Sequence, residues 1–303
     1  MIKEMFGQLI SLEFKNVILL LRFRLLRSLF LTSNIPRSDS IKHKFKESIE
    51  LRDKGYVILP QLESSMVENL INEYKDTCKR CWGKEYTELL RDLYEGNKAR
   101  GAFCNLLPSE TINNLIKDVL PIVKDTLRLE RSKIRIYVSC DTLITPKSES
   151  TYKKNALSSY DDALVFHRDF DGLRFLKYFI LLTDCDYETG PHYIVKNSSL
   201  KGNIDCCGYK RMAKDEIIKY YKVNSIKRFE GPKGFNFLED TNNFHSGSIP
   251  KKGTRILLQF QFLDFKSANY KSFSEPYISL NLLDGGVYNT TGGKTSIFNN
   301  KSN

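Results

Sequence analysis

The chain has 303 residues, of which 41% are hydrophobic and 27% are charged. This composition is sufficient for a substantial core, and the length fits one large domain or one domain with extensions. The sequence has no uncharged apolar run of about 18 residues, which argues against a transmembrane helix. The formal net charge is +11, but basic and acidic residues are interspersed and no nucleic-acid-binding motif is present. We therefore expect no nucleic-acid partner.

Residues 1–40 contain a basic amphipathic segment. Apolar residues recur near helical spacing between Phe14 and Leu29, and Arg22 and Arg27 mark the other side. This pattern predicts an N-terminal helix followed by a linker. Such a helix more often packs against its own domain or forms a homodimer, and the alternative is contact with a membrane surface. The segment has no small-residue cleavage site, so a secretory signal is not expected.

Helical patterns follow this segment. Ser65 and Glu68 have the spacing of a capping box, so a helix is predicted to begin at Ser65. Ser109 precedes apolar residues at helical spacing, which predicts a second helix that reaches Pro121. A short third helix is predicted over residues 215–221.

Seven cysteines are spread along the chain without a compact framework. Cys78 and Cys81 have C-x-x-C spacing, but they lie within a predicted helix and no second pair completes a zinc site. The odd number of cysteines favours free thiols in a reducing compartment, and a redox role for this pair is the less favoured alternative. We therefore expect a cytoplasmic protein.

The second half of the chain has strand patterns. Alternation begins at 133–139, and runs typical of strands recur at 164–167, 176–184, 192–196, 234–240 and 254–264. Helices followed by many strands are typical of the α+β class, because parallel-sheet proteins alternate the two elements. No glycine-rich nucleotide-binding motif, P-loop or nucleophilic-serine motif indicates another class of enzyme.

Three candidate metal ligands lie at the ends of these strands. His167 and Asp169 form a His-x-Asp pair, and His245 follows far downstream. Two neutral imidazoles and one carboxylate are the ligand set that holds Fe(II) on one face and leaves the opposite face open. Arg255 begins the last strand, where its planar fork suits a carboxylate of a dicarboxylate co-substrate. These residues predict an Fe(II)- and 2-oxoglutarate-dependent oxygenase.

The sequence around these residues resembles the phytanoyl-CoA dioxygenase family. The similar blocks are Lys54–Pro60, Phe166–Asp169, Leu176–Asp184, Gly190–Ser199, 234–240, His245–Ser248 and Thr254–Arg255. The resemblance implies a double-stranded β-helix, which is a jelly roll, with flanking helices that are mainly N-terminal. The oxygenase domain is expected at 41–270, with a lid-like insertion at about 198–233. The composition after it, rich in Ser, Asn, Thr and Gly, predicts a partly mobile C-terminal extension at 271–303. The family's usual Pro-Gly-Ser-His turn is changed at 196–199, so the identity of the substrate is not carried over.

The resemblance also implies roles for individual residues. Carried over by position, His167, Asp169 and His245 would be the catalytic iron ligands. Arg255 would bind the distal carboxylate of 2-oxoglutarate, assisted by Ser246 or Ser248, of which Ser246 is slightly closer. Asp169 favours hydroxylation, since related halogenases replace this carboxylate with a small residue. The reaction would convert 2-oxoglutarate and O2 to succinate and CO2 while a substrate is oxidised.

A basic cluster lies in the predicted insertion. Its residues are Lys201, Lys210, Arg211, Lys214, Lys219, Lys222, Lys227 and Arg228. A solvated surface is the commoner explanation for such a cluster. If the segment instead covers the metal site, an anionic substrate that is small or linked to a carrier would fit.

Two readings other than an enzyme remain open. One is a jelly-roll protein that binds a metal or ligand without catalysis, although the presence of all three ligands and Arg255 argues against it. The other is a membrane-surface or partner-binding protein that acts through the N-terminal helix. The third histidine of the strand region, His192, is expected to be packed or to face the substrate rather than to bind iron.

Overall fold

The computed structural model describes residues 42–96, 100–106, 109–128, 134–146, 165–169, 174–199, 211–264 and 278–279. The predicted helix at 1–40 lies outside these residues, as does nearly all of the predicted extension at 271–303. Among the helices that are described, none is long and apolar enough to cross a membrane.

The described helices lie mainly before the strands. They are α1 (Lys46–Lys54), α2 (Ser64–Trp82), α3 (Tyr86–Glu95), α4 (Glu110–Leu127) and α5 (Lys214–Tyr221), and a 3₁₀ turn follows at Val223–Ser225. The capping box predicted at Ser65 is wrong, because α2 begins at Ser64 and no side chain caps it. The backbone N–H of Leu62 is bonded to the carbonyl of Gly234, which fixes how the chain enters this helix.

Helix α4 has the predicted cap but continues beyond the predicted stretch. The hydroxyl of Ser109 accepts a hydrogen bond from the backbone N–H of Ile112 at 3.1 Å. Pro121 lies inside the helix, although proline removes one backbone hydrogen bond. Val123 and Leu127, beyond the proline, are fully buried. Burial of this continued apolar face offsets the lost bond.

Ten strands are described. They are β1 (Tyr56–Ile58), β2 (Arg100–Asn105), β3 (Ile134–Ile144), β4 (Phe175–Leu181), β5 (His192–Val195), β6 (Ile226–Phe229), β7 (Asn236–Glu239), β8 (His245–Ser246), β9 (Thr254–Asp264) and β10 (Ile278–Ser279). The strands predicted at 176–184, 192–196, 234–240 and 254–264 therefore form, with ends shifted by a few residues. The stretch predicted at 164–167 contributes only isolated bridges, at Phe166 and His167.

The strands form two antiparallel sheets. The large sheet has seven strands in the order β1-β7-β4-β9-β3-β10, and β2 also pairs with β3. The small sheet has the order β6-β5-β8. The sheets pack as a jelly roll with helices outside, so the predicted α+β class and double-stranded β-helix core are confirmed.

The two faces of the large sheet have different neighbours. Tyr178 of β4 and Phe260 of β9 lie on the outer face, in one hydrophobic cluster with Tyr74 of α2. Phe179, the next residue of β4, belongs to a second cluster with Phe229 of the small sheet. Because side chains alternate along a strand, every second residue of β4 and β9 points into the space between the sheets. The candidate site lies in that space.

The predicted insertion at 198–233 contains described secondary structure. Helix α5 lies in it, and β6 pairs with β5 as part of the small sheet. Two residues of the predicted basic cluster, Lys201 and Lys210, fall outside the described residues. Arg228 is described, and it forms an ion pair with Glu230 at 2.8 Å.

Candidate metal centre

Backbone pairing brings the three predicted ligands together. The N–H of His167 donates to the carbonyl of His245 at 3.0 Å, and the N–H of His245 donates back to His167 at 2.9 Å. The N–H of Asp169 donates to the carbonyl of Thr241 at 2.9 Å. The His-x-Asp segment therefore runs beside β8, and residues 76 to 78 positions apart in the chain become neighbours.

The side chains of the three residues converge on one point. Nε2 of His167 lies 3.7 Å from Oδ1 of Asp169, and Nε2 of His245 lies 3.4 Å from Oδ2. One ligand atom from each residue lies within 4.8 Å of the others, in the only such group that the described residues form. Atoms at this spacing can bind a single ion between them.

Both histidines have the same nitrogen available for a metal. Nδ1 of His167 donates to the carbonyl of Val165 at 2.8 Å, and Nδ1 of His245 donates to the carbonyl of Asn243 at 3.0 Å. A carbonyl can only accept a hydrogen bond, so these contacts place the proton on Nδ1. When the ring is neutral, Nε2 then presents its lone pair to the point of convergence, as metal-binding imidazoles require. The residues present thus fit a divalent metal with nitrogen and oxygen ligands.

The environment sets the charges of the three groups. Burial, followed by the neighbouring His245, lowers the pKa of His167 to about 3, so this imidazole is neutral. Burial would raise the pKa of Asp169, but the Lys177 ammonium and the two histidines outweigh burial and hold it well below its usual value. Burial likewise would lower the pKa of His245, but the Asp169 carboxylate raises it above its usual value. The site thus contains an ionised carboxylate before any metal arrives.

Lys177 is a component of the site that the sequence analysis did not identify. It is 8% exposed and lies on the inward face of β4, with Nζ 2.5 Å from Oδ2 of Asp169. The signal in the sequence was a lone lysine in a strand that is otherwise apolar, Phe175–Leu181. A charged residue in a buried strand requires a partner of opposite charge, but the sequence does not show which one.

A buried His–Glu pair lies beside the three ligands. Nε2 of His192 is 2.9 Å from Oε2 of Glu239, and the two residues are 6% and 0% exposed. The His192 ring packs at a tilt against Phe179 and Phe237 and lies 5.7 Å from the ring of His245. Oε1 of Glu239 is buried without a hydrogen-bond partner within the described part of the chain. As expected from the sequence, His192 is packed in the interior and is not part of the metal-ligand group.

Arg168, between two of the ligands, anchors the His-x-Asp segment from behind. Its guanidinium donates to the carbonyl of Ser198 at 2.6 Å and to the hydroxyl of Tyr221 at 3.3 Å. The guanidinium also lies 4.2 Å from the ring centroid of Phe244. These contacts fasten the segment to α5 and to the loop before β8, which restricts the positions that the ligands can take.

Arg255 lies at the start of β9 on the inward face. It is 3% exposed, and Nη1 donates to the carbonyl of Gly190. The hydroxyl of Ser248 donates to the next carbonyl, that of Pro191, at 2.9 Å. Arg255 and Ser248 thus bind the carbonyls of two adjacent residues, Gly190 and Pro191. Ser246 is also buried, but it follows His245 in β8 and therefore points to the opposite face of the small sheet.

Comparison with known proteins gives a structural answer only. No family model and no curated protein match the sequence. Among solved structures, apo EctD from S. alaskensis is similar with a TM-score of 0.50 and 12% identity, over 76% of this chain and 80% of that one. Apo ThoJ, a non-heme monooxygenase, is similar with a TM-score of 0.51 and 10% identity, over 78% and 83%. The likeness shows the fold. The predicted resemblance is thereby confirmed for the architecture.

Proposed function

We propose that the chain is an Fe(II)- and 2-oxoglutarate-dependent oxygenase. The observation that carries this proposal is the convergence of His167, Asp169 and His245 inside a jelly roll, with Nε2 of both histidines free to bind. Two imidazoles and one carboxylate, without a thiolate, are the donors that suit Fe(II). The fold supports the proposal, because one protein that shares it is a non-heme monooxygenase.

The three ligands would hold the iron, and the protein would leave the remaining positions open. Bound iron together with 2-oxoglutarate supplies the activation of O2, with succinate and CO2 as products. The role of the chain is to keep the ligands fixed and to limit access of water. The side chains of His167 and Asp169 are 19% and 15% exposed, so this part of the site remains accessible to small molecules.

Arg255 would bind the distal carboxylate of 2-oxoglutarate. The guanidinium of Arg255 is 3% exposed on the inward face of β9, where water screens its positive charge poorly. A carboxylate of 2-oxoglutarate has the opposite charge and matches the planar fork of the guanidinium. Ser248 binds the carbonyl next to the one that Arg255 binds and is the better placed of the two serines to assist, while Ser246 points to the other face.

Hydroxylation of a small or carrier-linked substrate is the form of the reaction that we propose. The support is Asp169, whose carboxylate would take the coordination position that a halide would need. An anionic group on the substrate remains part of this proposal. The described basic residues of the 198–233 segment give it limited support, since Arg228 is already paired with Glu230.

The deciding experiment is an anaerobic titration of the metal-free protein with Fe(II) and 2-oxoglutarate, monitored by the visible charge-transfer absorption of the chelate. The wild type is expected to show the band, His245→Ala to lose it, and Arg255→Ala to need a much higher concentration of 2-oxoglutarate. His43→Gln is a matched control, because His43 lies beside Asp125 of α4 rather than in the metal group. A folded, iron-loaded wild type without the band would overturn the oxygenase proposal and favour a binding protein without catalysis.

A further inference from the structure

Lys177 places a buried positive charge against a proposed metal ligand. In β4 it lies between Glu239 of β7 and Gln261 of β9, which are its Cα partners in the two neighbouring strands. The side chain is 10% exposed, so water screens its charge poorly. A lysine in such a position is costly to bury, and an apolar residue would fit the strand at a lower cost.

The two carboxylate oxygens of Asp169 have different neighbours. Nζ of Lys177 lies 2.5 Å from Oδ2, which also lies 3.4 Å from Nε2 of His245, whereas Oδ1 lies 3.7 Å from Nε2 of His167. An ammonium that remains bonded to Oδ2 leaves one carboxylate oxygen for the metal. The same contact brings a unit positive charge close to the position of a divalent cation, and like charges at short range repel strongly in a buried site.

The formal charges around the site show how this repulsion can be compensated. Lys177, Arg168 and Arg255 are cations, Asp169, Glu239 and Asp240 are anions, and all six residues are buried or nearly so. Their formal charges cancel before any ligand binds. A divalent metal alone adds two positive charges next to Lys177, and 2-oxoglutarate adds the two negative charges that restore balance.

We propose that Lys177 is a positioning residue that makes binding of the metal and binding of the anionic co-substrate depend on each other. The proposal rests on the proposed function. The ammonium holds Asp169 through one oxygen, weakens binding of the metal alone, and strengthens binding of a dicarboxylate to the metal-loaded site. Coupling of this kind is reciprocal, so each ligand must favour the other by the same factor.

The test compares the wild type with Lys177→Met, using Ni(II) as a metal that does not consume 2-oxoglutarate. Calorimetry measures two constants: the affinity for Ni(II) alone, and the affinity of the Ni(II)-loaded protein for 2-oxoglutarate. In Lys177→Met we expect Ni(II) alone to bind about tenfold more tightly and 2-oxoglutarate to bind about tenfold more weakly. The two affinities are expected to change in opposite directions. This result is decisive, because a variant with a merely damaged site would lose affinity for both ligands.

Three further variants complete the design. Lys177→Gln keeps a donor for Asp169 without the charge, so it should show the same two opposite shifts and serves if Lys177→Met does not fold. Lys177→Arg keeps the charge and should restore both constants to near the wild-type values. Lys252→Met removes a lysine that is 62% exposed and paired with Asp186 at 3.4 Å, and both constants should stay unchanged.

The outcomes separate this inference from the proposed function. If Ni(II) alone binds Lys177→Met and Lys177→Gln no more tightly than the wild type, Lys177 does not couple the ligands and the inference is overturned. In that case the wild type still binds Ni(II) and 2-oxoglutarate together. If the wild type itself binds 2-oxoglutarate no better with Ni(II) than without it, the proposed function fails, and the inference fails with it.

Discussion

Two groups of histidine and carboxylate lie side by side between the sheets, and only one of them is suited to a metal. In the first, Nδ1 of His167 and Nδ1 of His245 each donate a hydrogen bond to a backbone carbonyl, so both Nε2 atoms face Asp169. In the second, Nε2 of His192 is itself bonded to Glu239. Both groups combine imidazole with carboxylate, but in the second the carboxylate engages Nε2 at 2.9 Å. Which atom the backbone engages therefore determines whether a histidine can be a ligand.

The two groups also differ in their surroundings. Asp169 is reached by two histidines and a lysine and retains 15% side-chain exposure, whereas Glu239 is fully buried beside His192 and aromatic rings. A metal ion needs a path to its ligands and room for additional ligands. The first group has both features, and the second is enclosed within the packed interior.

The largest expected effect comes from removing the histidine of the enclosed pair. His192→Ala leaves the Glu239 carboxylate buried without its partner, so we expect the free energy of unfolding to fall by about 3 kcal/mol. Because His192 is not a ligand, the affinity for Ni(II) should change by less than about tenfold. Chemical denaturation and calorimetry measure the two quantities.

His192→Gln is the matched control, because an amide can still donate to Glu239 and should recover part of the lost stability. A loss of Ni(II) affinity in His192→Ala as large as in His245→Ala would mean that the two groups act as one metal site.

The second prediction concerns protons at the open group. The pKa of His245 is raised, so its imidazole holds a proton below that raised value, and a metal must displace this proton. His167, with a pKa of about 3, has none to lose at neutral pH. As the pH falls below the raised pKa of His245, the affinity for Ni(II) should fall about tenfold per pH unit; above that pKa, it should be constant.

Calorimetry in buffers of different ionisation enthalpy counts the protons released. One proton is expected at a pH below the raised pKa of His245. Release of two protons would show that His167 is also protonated. The predicted difference in protonation between His167 and His245 would then be wrong.

The smallest expected effect lies outside both groups. Ser109→Ala removes the cap of α4 and the hydrogen bond from Ser109 to Glu73, which is 2.8 Å long. The free energy of unfolding should fall by about 1 kcal/mol, as is usual for the loss of an N-cap. Affinities for Ni(II) and 2-oxoglutarate should not change. A change in either affinity would mean that a loss of stability alone alters ligand binding. Stability and metal affinity could then not be used to distinguish the two groups of histidine and carboxylate.

The sequence allowed prediction of the features that depend on local pattern. The strand-like runs at 176–184 and 254–264 and the cap at Ser109 follow from the alternation and spacing of neighbouring residues. The three candidate ligands followed from residue types at the ends of predicted strands, whereas the jelly roll required a resemblance to a known family. Local pattern also misled in one place, because Ser65 has the spacing of a capping box while the chain enters α2 one residue earlier.

The partners of Lys177 and His192 could not be predicted, because they depend on which strands become neighbours. Asp169 is only eight positions before Lys177 in the chain, but nothing in the local sequence indicates that their side chains meet. Glu239 reaches His192 only because β7 of the large sheet faces β5 of the small sheet. Such contacts are set by the packing of whole sheets.

The order of strands in the large sheet has a consequence for synthesis of the protein. Strand β9 lies between β4 and β3, although it is made after both, and β1 pairs with β7 through Val57 and Leu238. Until the ribosome has released β9, the hydrogen-bonding edges of β3 and β4 have no strand between them. Pairings between such distant segments form slowly and expose unpaired edges in the meantime. The nascent chain is therefore most prone to aggregation just before its central strand emerges.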